Sequence, residues 1–199
     1  MPGIVGFQGT IGAEASEVLM TALVQALGVE EGYRVDCFSS TDLGLGRVHL
    51  GLVDKQPQPL WNADHSVALV MTGEIFSWDG LHLEQPLSGM EPEFNNAQLL
   101  MAAYMQFAEA FVDHINGTFA AAIWNAREQT LLLVTDHLSS HPLYYAQVGD
   151  LLVFGSGARV AAQAPGLPRA VNVEAVAELI ALEHLYGDNT LFSGVHLVL

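Results

Sequence analysis

Residues 115–146 read INGTFAAAIWNAREQTLLLVTDHLSSHPLYYA. Three apolar runs stand out in it: TFAAAIWN at 118–125, TLLLVTD at 130–136 and LYYAQ at 143–147. A fourth, LLVFGS at 151–156, follows across the short polar turn Val148–Asp150. The first two meet across an equally short turn, Asn125–Gln129. Connections of that length join antiparallel neighbours, because parallel strands need a crossover of a dozen or more residues. The stretch therefore predicts hairpins of an antiparallel sheet. Working outward, GIVGF (3–7), RVDCF (34–38), VHLGLV (48–53) and SVALVMTG (66–73) read as further strands. Val18, Leu19, Ala22, Leu23 and Ala26 recur at helical spacing over 13–27, with Gly28 as the stop. Leu99, Leu100, Ala103, Tyr104, Phe107 and Phe111 mark a second helix over 96–114. A third, over 173–184, follows Asn172 as N-cap. Strand, helix, strands, helix and then hairpins make an α+β domain, with antiparallel sheets and helices packed outside them. APGLPR at 164–169 is a turn or linker.

The composition narrows the function. A chain of 199 residues suits one domain, and 51% apolar with 14% charged residues is globular. Acids outnumber bases 22 to 6, for a formal charge of -16. Six scattered cations do not make a nucleic-acid or anionic-membrane surface. High apolar content with few charges points to a surface covered by a partner, another domain or a second copy, so a homodimer stays open. VALVM and FAAAIW fall far short of the roughly 20 residues a spanning helix needs. The N-terminus lacks the basic start of a signal peptide, and Gly3, Gly6, Gly9 and Gly12 interrupt it. Cys37 is the single cysteine, which excludes an internal disulfide and fits a cytoplasmic location. Without a secretion signal, Asn116-Gly117-Thr118 is a chance glycosylation match. The chain ends on LFSGVHLVL, in mid-pattern, and is expected to be a domain of a longer protein.

Local motifs offer little chemistry. Gly155-Ser156-Gly157 lacks the third glycine of a phosphate-binding turn and follows an antiparallel strand, so it reads as a simple turn. His137 and His141 stand four apart but flank Ser139-Ser140 and precede Pro142, which puts them on a loop. No carboxylate or cysteine cluster joins them, and no metal site is expected. Cys37, within an apolar run, reads as a buried small hydrophobe. Trp61, Trp78 and Trp124 call for nothing beyond packing.

The order of blocks is more specific. MPGIVGFQG at 1–9, RVHLGLVDKQPQPLW at 47–61, MTGEIFSWDGL at 71–81, the 115–146 stretch and LLVFGSGARVAA at 151–162 run in sequence. Together they resemble the N-terminal glutaminase domain of asparagine synthetase, a class II glutamine amidotransferase of the N-terminal-nucleophile hydrolase fold. NGTFAAAIWN and HPLYYA are the most specific blocks, and the likeness spans essentially residues 1–199 as a single domain. It implies a four-layer αββα sandwich of two antiparallel sheets flanked by helices. It further implies a C-terminal ATP-pyrophosphatase domain in an asparagine-synthetase-like ligase. That domain would be this one's partner in the same chain and would use ATP and Mg2+, leaving the present domain without a cofactor.

The family's mechanism uses an N-terminal cysteine whose own α-amine is the base. A backbone N–H and an asparagine amide form its oxyanion hole, and an arginine and an aspartate hold the glutamine zwitterion. Residue by residue, the cysteine position is Pro2, the arginine falls on His49, the oxyanion asparagine on Thr72, and the aspartate on Asn96, with Gln98 at the following glutamate. Gly73, the backbone donor, and Glu74 keep their identities. Without a thiol the two-step acyl mechanism is not available. The expectation is a degenerate glutaminase domain, a pseudoenzyme with no catalytic residues. It would have a structural or regulatory role, with ammonia or an intramolecular amine replacing glutamine, as in the similar β-lactam synthetases. A retuned pocket that binds an amino acid or amide without turnover is the alternative. Pro2 acting as a base, as N-terminal prolines do in tautomerases, has no partner acid here and no other likeness to support it.

Overall fold

The computed structural model describes residues 2–52, 55–82 and 95–199. The hairpin block forms β6 (Ile115–Asn125), β7 (Thr130–Thr135), β8 (Tyr144–Val148) and β9 (Leu151–Gly155). Before it come β1 (Gly3–Gln8), β2 (Arg34–Ser39), β3 (Leu43–His49), β4 (Leu60–Trp61) and β5 (Val67–Trp78); β10 (His196–Leu197) lies near the C-terminus. One sheet has the order β10-β8-β9-β1-β3-β2 and the other β4-β5-β6-β7, with antiparallel pairing throughout both.

Strand side chains alternate between two buried layers, which is why their sequences read as unbroken apolar runs. In β6, Ala120, Ala122 and Trp124 face the other sheet and meet Ile4, Leu45, Ala68, Val70 and Phe154. Phe119, Ala121 and Ile123 face the opposite way, onto Leu100, Ala103 and Tyr104 of α2 (Asn96–Phe107). Across the other sheet, Val5 and Phe7 meet Leu19, Met20 and Leu23 of α1 (Ala13–Ala26) and Val160 and Ala161 of α3 (Ala158–Ala161). The layers are thus helix, sheet, sheet, helix: a four-layer αββα sandwich.

Several boundaries differ from the sequence reading. The strand expected over 48–53 is β3, which spans Leu43–His49 and ends where that reading put its start. The glycines of its first half serve packing. A Cβ at Gly44 would come 2.3 Å from Phe7 Cε1 and 2.5 Å from Met20 Sδ. The helix expected over 96–114 ends at Phe107 and continues as a 3-10 helix, Ala108–His114, because Ala108 takes φ 51. β4, β10 and α3 were not foreseen. At the C-terminal end α4 (Val173–Leu182) is capped by the Asn172 side chain, which accepts from Ala175 N–H at 3.2 Å. It buries only Ala175 and leaves Val173, Ile180 and Leu182 exposed. Among the described residues no helix is long and apolar enough to cross a membrane.

Candidate functional site

The sandwich brings the start of β1, the end of β3 and the middle of β5 to one edge. There they border a cleft of about 210 Å³ lined by Pro2, Arg47, His49, Thr72, Gly73, Met71 and residues 50–52. Four residues singled out in the sequence, Pro2, His49, Thr72 and Gly73, share this lining. Glu74 is exposed and lies outside it. Asn96 lies outside it too, at the first position of α2, where its Oδ1 accepts from Ile75 N–H at 2.8 Å. The carboxamide ties α2 to β5. Gln98 is likewise engaged in a capping box: its Oε1 accepts from Asn95 N–H at 3.1 Å, while its own N–H donates to Asn95 Oδ1 at 2.9 Å.

Two devices fix the cleft walls. Ser156 clamps the start of β1, its Oγ accepting from Ile4 N–H and its N–H donating to Ile4 O, both at 2.9 Å. The Gly155-Ser156-Gly157 segment is a turn after β9, and this clamp holds Pro2 two residues upstream. Gly73 adopts φ +104, and a Cβ there would stand 2.1 Å from Thr118 O, so no other residue fits.

The cleft floor is polar and buried. Arg47 and His49 alternate with Val48 on β3 and so share a face. Arg47 is 3% exposed, and its Nη2 donates to Asp36 Oδ2 and to Gln56 O, each at 2.8 Å. Asp36 also accepts from Gln58 N–H at 3.3 Å, and Gln58 Oε1 accepts from Met71 N–H at 2.7 Å. His49 Nδ1 accepts from Gly51 N–H at 3.1 Å, which places the ring proton on Nε2. That atom lies 3.2 Å from Asp36 Oδ2 but out of line for a hydrogen bond. Burial, then the Arg47 and Arg34 charges, push the His49 pKa below its ordinary value against the pull of Asp36. The imidazole is neutral at neutral pH. Both ring nitrogens face other groups, and among the described residues no hydrogen bond joins His49 to the Thr72 hydroxyl. His49 therefore does not activate Thr72 as a nucleophile.

A scan of family models finds the glutamine amidotransferase domain matching residues 1–199. The chain belongs to this family. The amidotransferase domain is 26% identical over 142 residues to asparagine synthetase [glutamine-hydrolyzing] 3 of Bacillus subtilis strain 168, covering 69% of this chain and 23% of that protein. Asparagine synthetase B [glutamine-hydrolyzing] of Escherichia coli K12 is 28% identical over 120 residues, 58% of this chain and 22% of its own length. The domain thus spans under a quarter of these relatives. Among solved structures, glutamine phosphoribosylpyrophosphate amidotransferase from B. subtilis, complexed with ADP and GMP, superposes with TM-score 0.55 at 14% identity, over 79% of this chain and 42% of that one. A second structure, titled as the allosteric regulatory enzyme of purine biosynthesis, gives TM-score 0.51 at 14% identity, over 81% and 43%. These superpositions place the amidotransferase domain in the N-terminal-nucleophile hydrolase fold.

The remaining sequence candidates lie elsewhere. Cys37 is exposed, not buried, because β2 is the edge strand of its sheet. His137 and His141 sit on the loop after β7, and among the described residues no three His, Cys, Asp or Glu gather as a metal site. Trp124 is buried, Trp61 packs edge-on to Phe38 at 5.2 Å, and Trp78 is exposed. The HPLYYA block is preceded by a turn built on Asp136. Its carboxylate accepts from the N–H groups of Phe119, Leu138 and Ser140 and from the Ser140 hydroxyl. Burial raises the Asp136 pKa, but these hydrogen bonds outweigh it and hold the group below its ordinary value.

Sequence reasoning missed Asp36, Gln58 and Ser156 and gave Arg47 no role. Asp36 and Arg47 are register partners on β2 and β3, so correct strand bounds would have paired them. No local signal marks Ser156.

Proposed function

We propose that this amidotransferase domain does not hydrolyse glutamine. In this reading it serves as a structural or regulatory module beside an ATP-dependent, amide-forming domain of an asparagine-synthetase-like ligase. One observation carries it: Pro2 occupies the cleft where the family's nucleophile belongs, and no thiol lines the cleft. Cys37, the single cysteine, lies exposed on β2. Three further substitutions favour the same reading. His49 is a neutral ring where the family has a guanidinium, Thr72 is a shorter group than an asparagine amide, and Asn96 supports α2. The exposed apolar side chains of α4 suit contact with a neighbouring domain. ATP and Mg2+ belong to that domain, and the location is cytoplasmic. The test is nitrogen-source dependence in the full-length protein. Ammonium salts should support amide formation from ATP and a carboxylic acid substrate, and glutamine should not. Equal rates with glutamine would overturn the reading.

A second reading concerns the cleft itself, which keeps a shaped interior with polar groups on its floor: it binds a small molecule without turnover.

A further inference from the structure

We propose that a second cavity, beside α3, binds a small organic anion: a carboxylate or phosphate carried on an apolar body. The cavity has a volume of about 380 Å³ and shares no lining residue with the cleft beside Pro2. One wall is α3 and the turn that continues it. Arg159, Ala162 and Gln163 stand three and four residues apart there and so share a face. Val160, Ala161 and Ala164 anchor the same segment in the core. The other wall is built from residues 167–171 and 192–193. Val171 and Phe192 form an antiparallel bridge, and Ser193 N–H donates to Ala170 O at 3.0 Å. Backbone hydrogen bonds and core packing hold both walls, so the cavity is preformed.

Charge selects the head group. Arg159 and Arg169, two of the chain's six basic residues, both line this cavity in a protein of formal charge -16. The sequence has no Asp or Glu between Asp150 and Glu174, so the stretch that builds most of the cavity carries only positive charge. Arg47 and Arg127 make ion pairs with Asp36 and Asp64, but among the described residues no carboxylate pairs with Arg159 or Arg169. Two guanidiniums brought to one cavity repel each other, and an anion between them relieves that repulsion through charge-assisted hydrogen bonds. Physiological salt screens exposed charges beyond about 8 Å, so the local pair, not the net charge of the chain, sets the field inside.

The rest of the lining selects the body. Ala162, Leu167, Pro168, Val171 and Phe192 are apolar, and Val171 and Phe192 are exposed side chains that a ligand body would cover. The Phe192 ring suits an aromatic ligand, stacked or edge-on. Leu167 is seated against the turn at Gly194, where φ is +75 and a Cβ would come 2.9 Å from Leu167 Cδ1. A bare inorganic ion would leave this apolar lining uncovered, and a neutral ring would leave the guanidiniums unpaired. Small-molecule pockets run to roughly 300–1,000 Å³, and a cavity at the lower end of that range has room for a single-ring acid.

Ligand-observed NMR and calorimetry on the purified protein test this with benzoate, phenyl phosphate, benzamide and inorganic phosphate as probes. Benzoate or phenyl phosphate should bind with a Kd of about 1 mM or tighter. Benzamide keeps the ring and shape of benzoate without its charge, and it should bind roughly tenfold more weakly, as should inorganic phosphate. Arg159 and Arg169 are exposed, so their replacement leaves the core intact. Arg159→Gln and Arg169→Gln should each weaken binding about twofold to fivefold, and the double variant should erase the difference between benzoate and benzamide. Arg34→Gln, an exposed arginine outside this cavity, is the control and should leave binding unchanged. No binding by either aromatic anion, benzamide as tight as benzoate, or a double variant that keeps their difference would each overturn the proposal. Equal weakening by Arg34→Gln would overturn it too, because binding would then follow surface charge in general.

Discussion

Replacing Ser156 by alanine isolates the contact that seats the first strand. Ile4 is fully buried, and its N–H donates to Ser156 Oγ at 2.9 Å. Alanine keeps the Cβ and removes only the acceptor, leaving an amide proton buried without a partner. Such an orphan costs about 1–3 kcal/mol, and loss of one oxygen atom adds little cavity, so a destabilisation of about 2 kcal/mol is expected. For a chain of this length that corresponds to a fall in Tm of roughly 4–8 °C. Urea denaturation followed by tryptophan fluorescence should show a lower midpoint with an unchanged slope, since the unfolded surface is the same. Ser140→Ala, which removes an exposed hydroxyl bonded to Asp136, is the control and should cost no more than about 0.5 kcal/mol. If Ser156→Ala is as mild as the control, the clamp is not what holds β1 in place.

Further outcomes follow from the same geometry. Gly73→Ala should cost more than about 4 kcal/mol or prevent folding, because its Cβ would overlap Thr118 O at positive φ; a Tm near that of the parent protein would contradict this. Pro2→Cys alone should release no ammonia from glutamine, because the guanidinium clamp and the oxyanion amide remain absent; appreciable hydrolysis would show that those substitutions matter less than argued. The folded His49 pKa lies below 6.5, so the unfolded chain takes up this proton first. Its contribution to stability is complete above about pH 6.5 and declines as pH falls toward the folded value, and His49→Gln should flatten that limb of a Tm–pH profile. Asp136 has a lowered carboxyl pKa, so its contribution is complete above about pH 4 and disappears below the folded value; Asp136→Asn should remove this acid-side loss.

The layered architecture was legible because both faces of the strands are buried. Ala68, Val70, Ala120 and Ala122 pack between the sheets while their sequence neighbours pack under helices, so each strand reads as a continuous apolar run. The first half of β3 lay outside the expected strand because Gly44 and Gly46 break up its apolar run. Their lack of side chains instead makes room for residues of β1 and α1. Pro2, His49, Thr72 and Gly73 were singled out by block order, and they come from β3, β5 and the residue before β1 to line one cleft between the two sheets. Asp36 and Ser156 were not. One acts through cross-strand register and the other through a bond between residues 152 positions apart, and neither leaves a local pattern. The expected burial of Cys37 failed for a related reason: apolar neighbours do not reveal that β2 is an edge strand.

The central claim is that a cleft with proline at the nucleophile position cannot turn over glutamine. Its most direct test is ammonia release from glutamine by the purified protein, measured against a no-enzyme control over hours. The account predicts a rate indistinguishable from the control, and release above it that scales with protein concentration would contradict the claim.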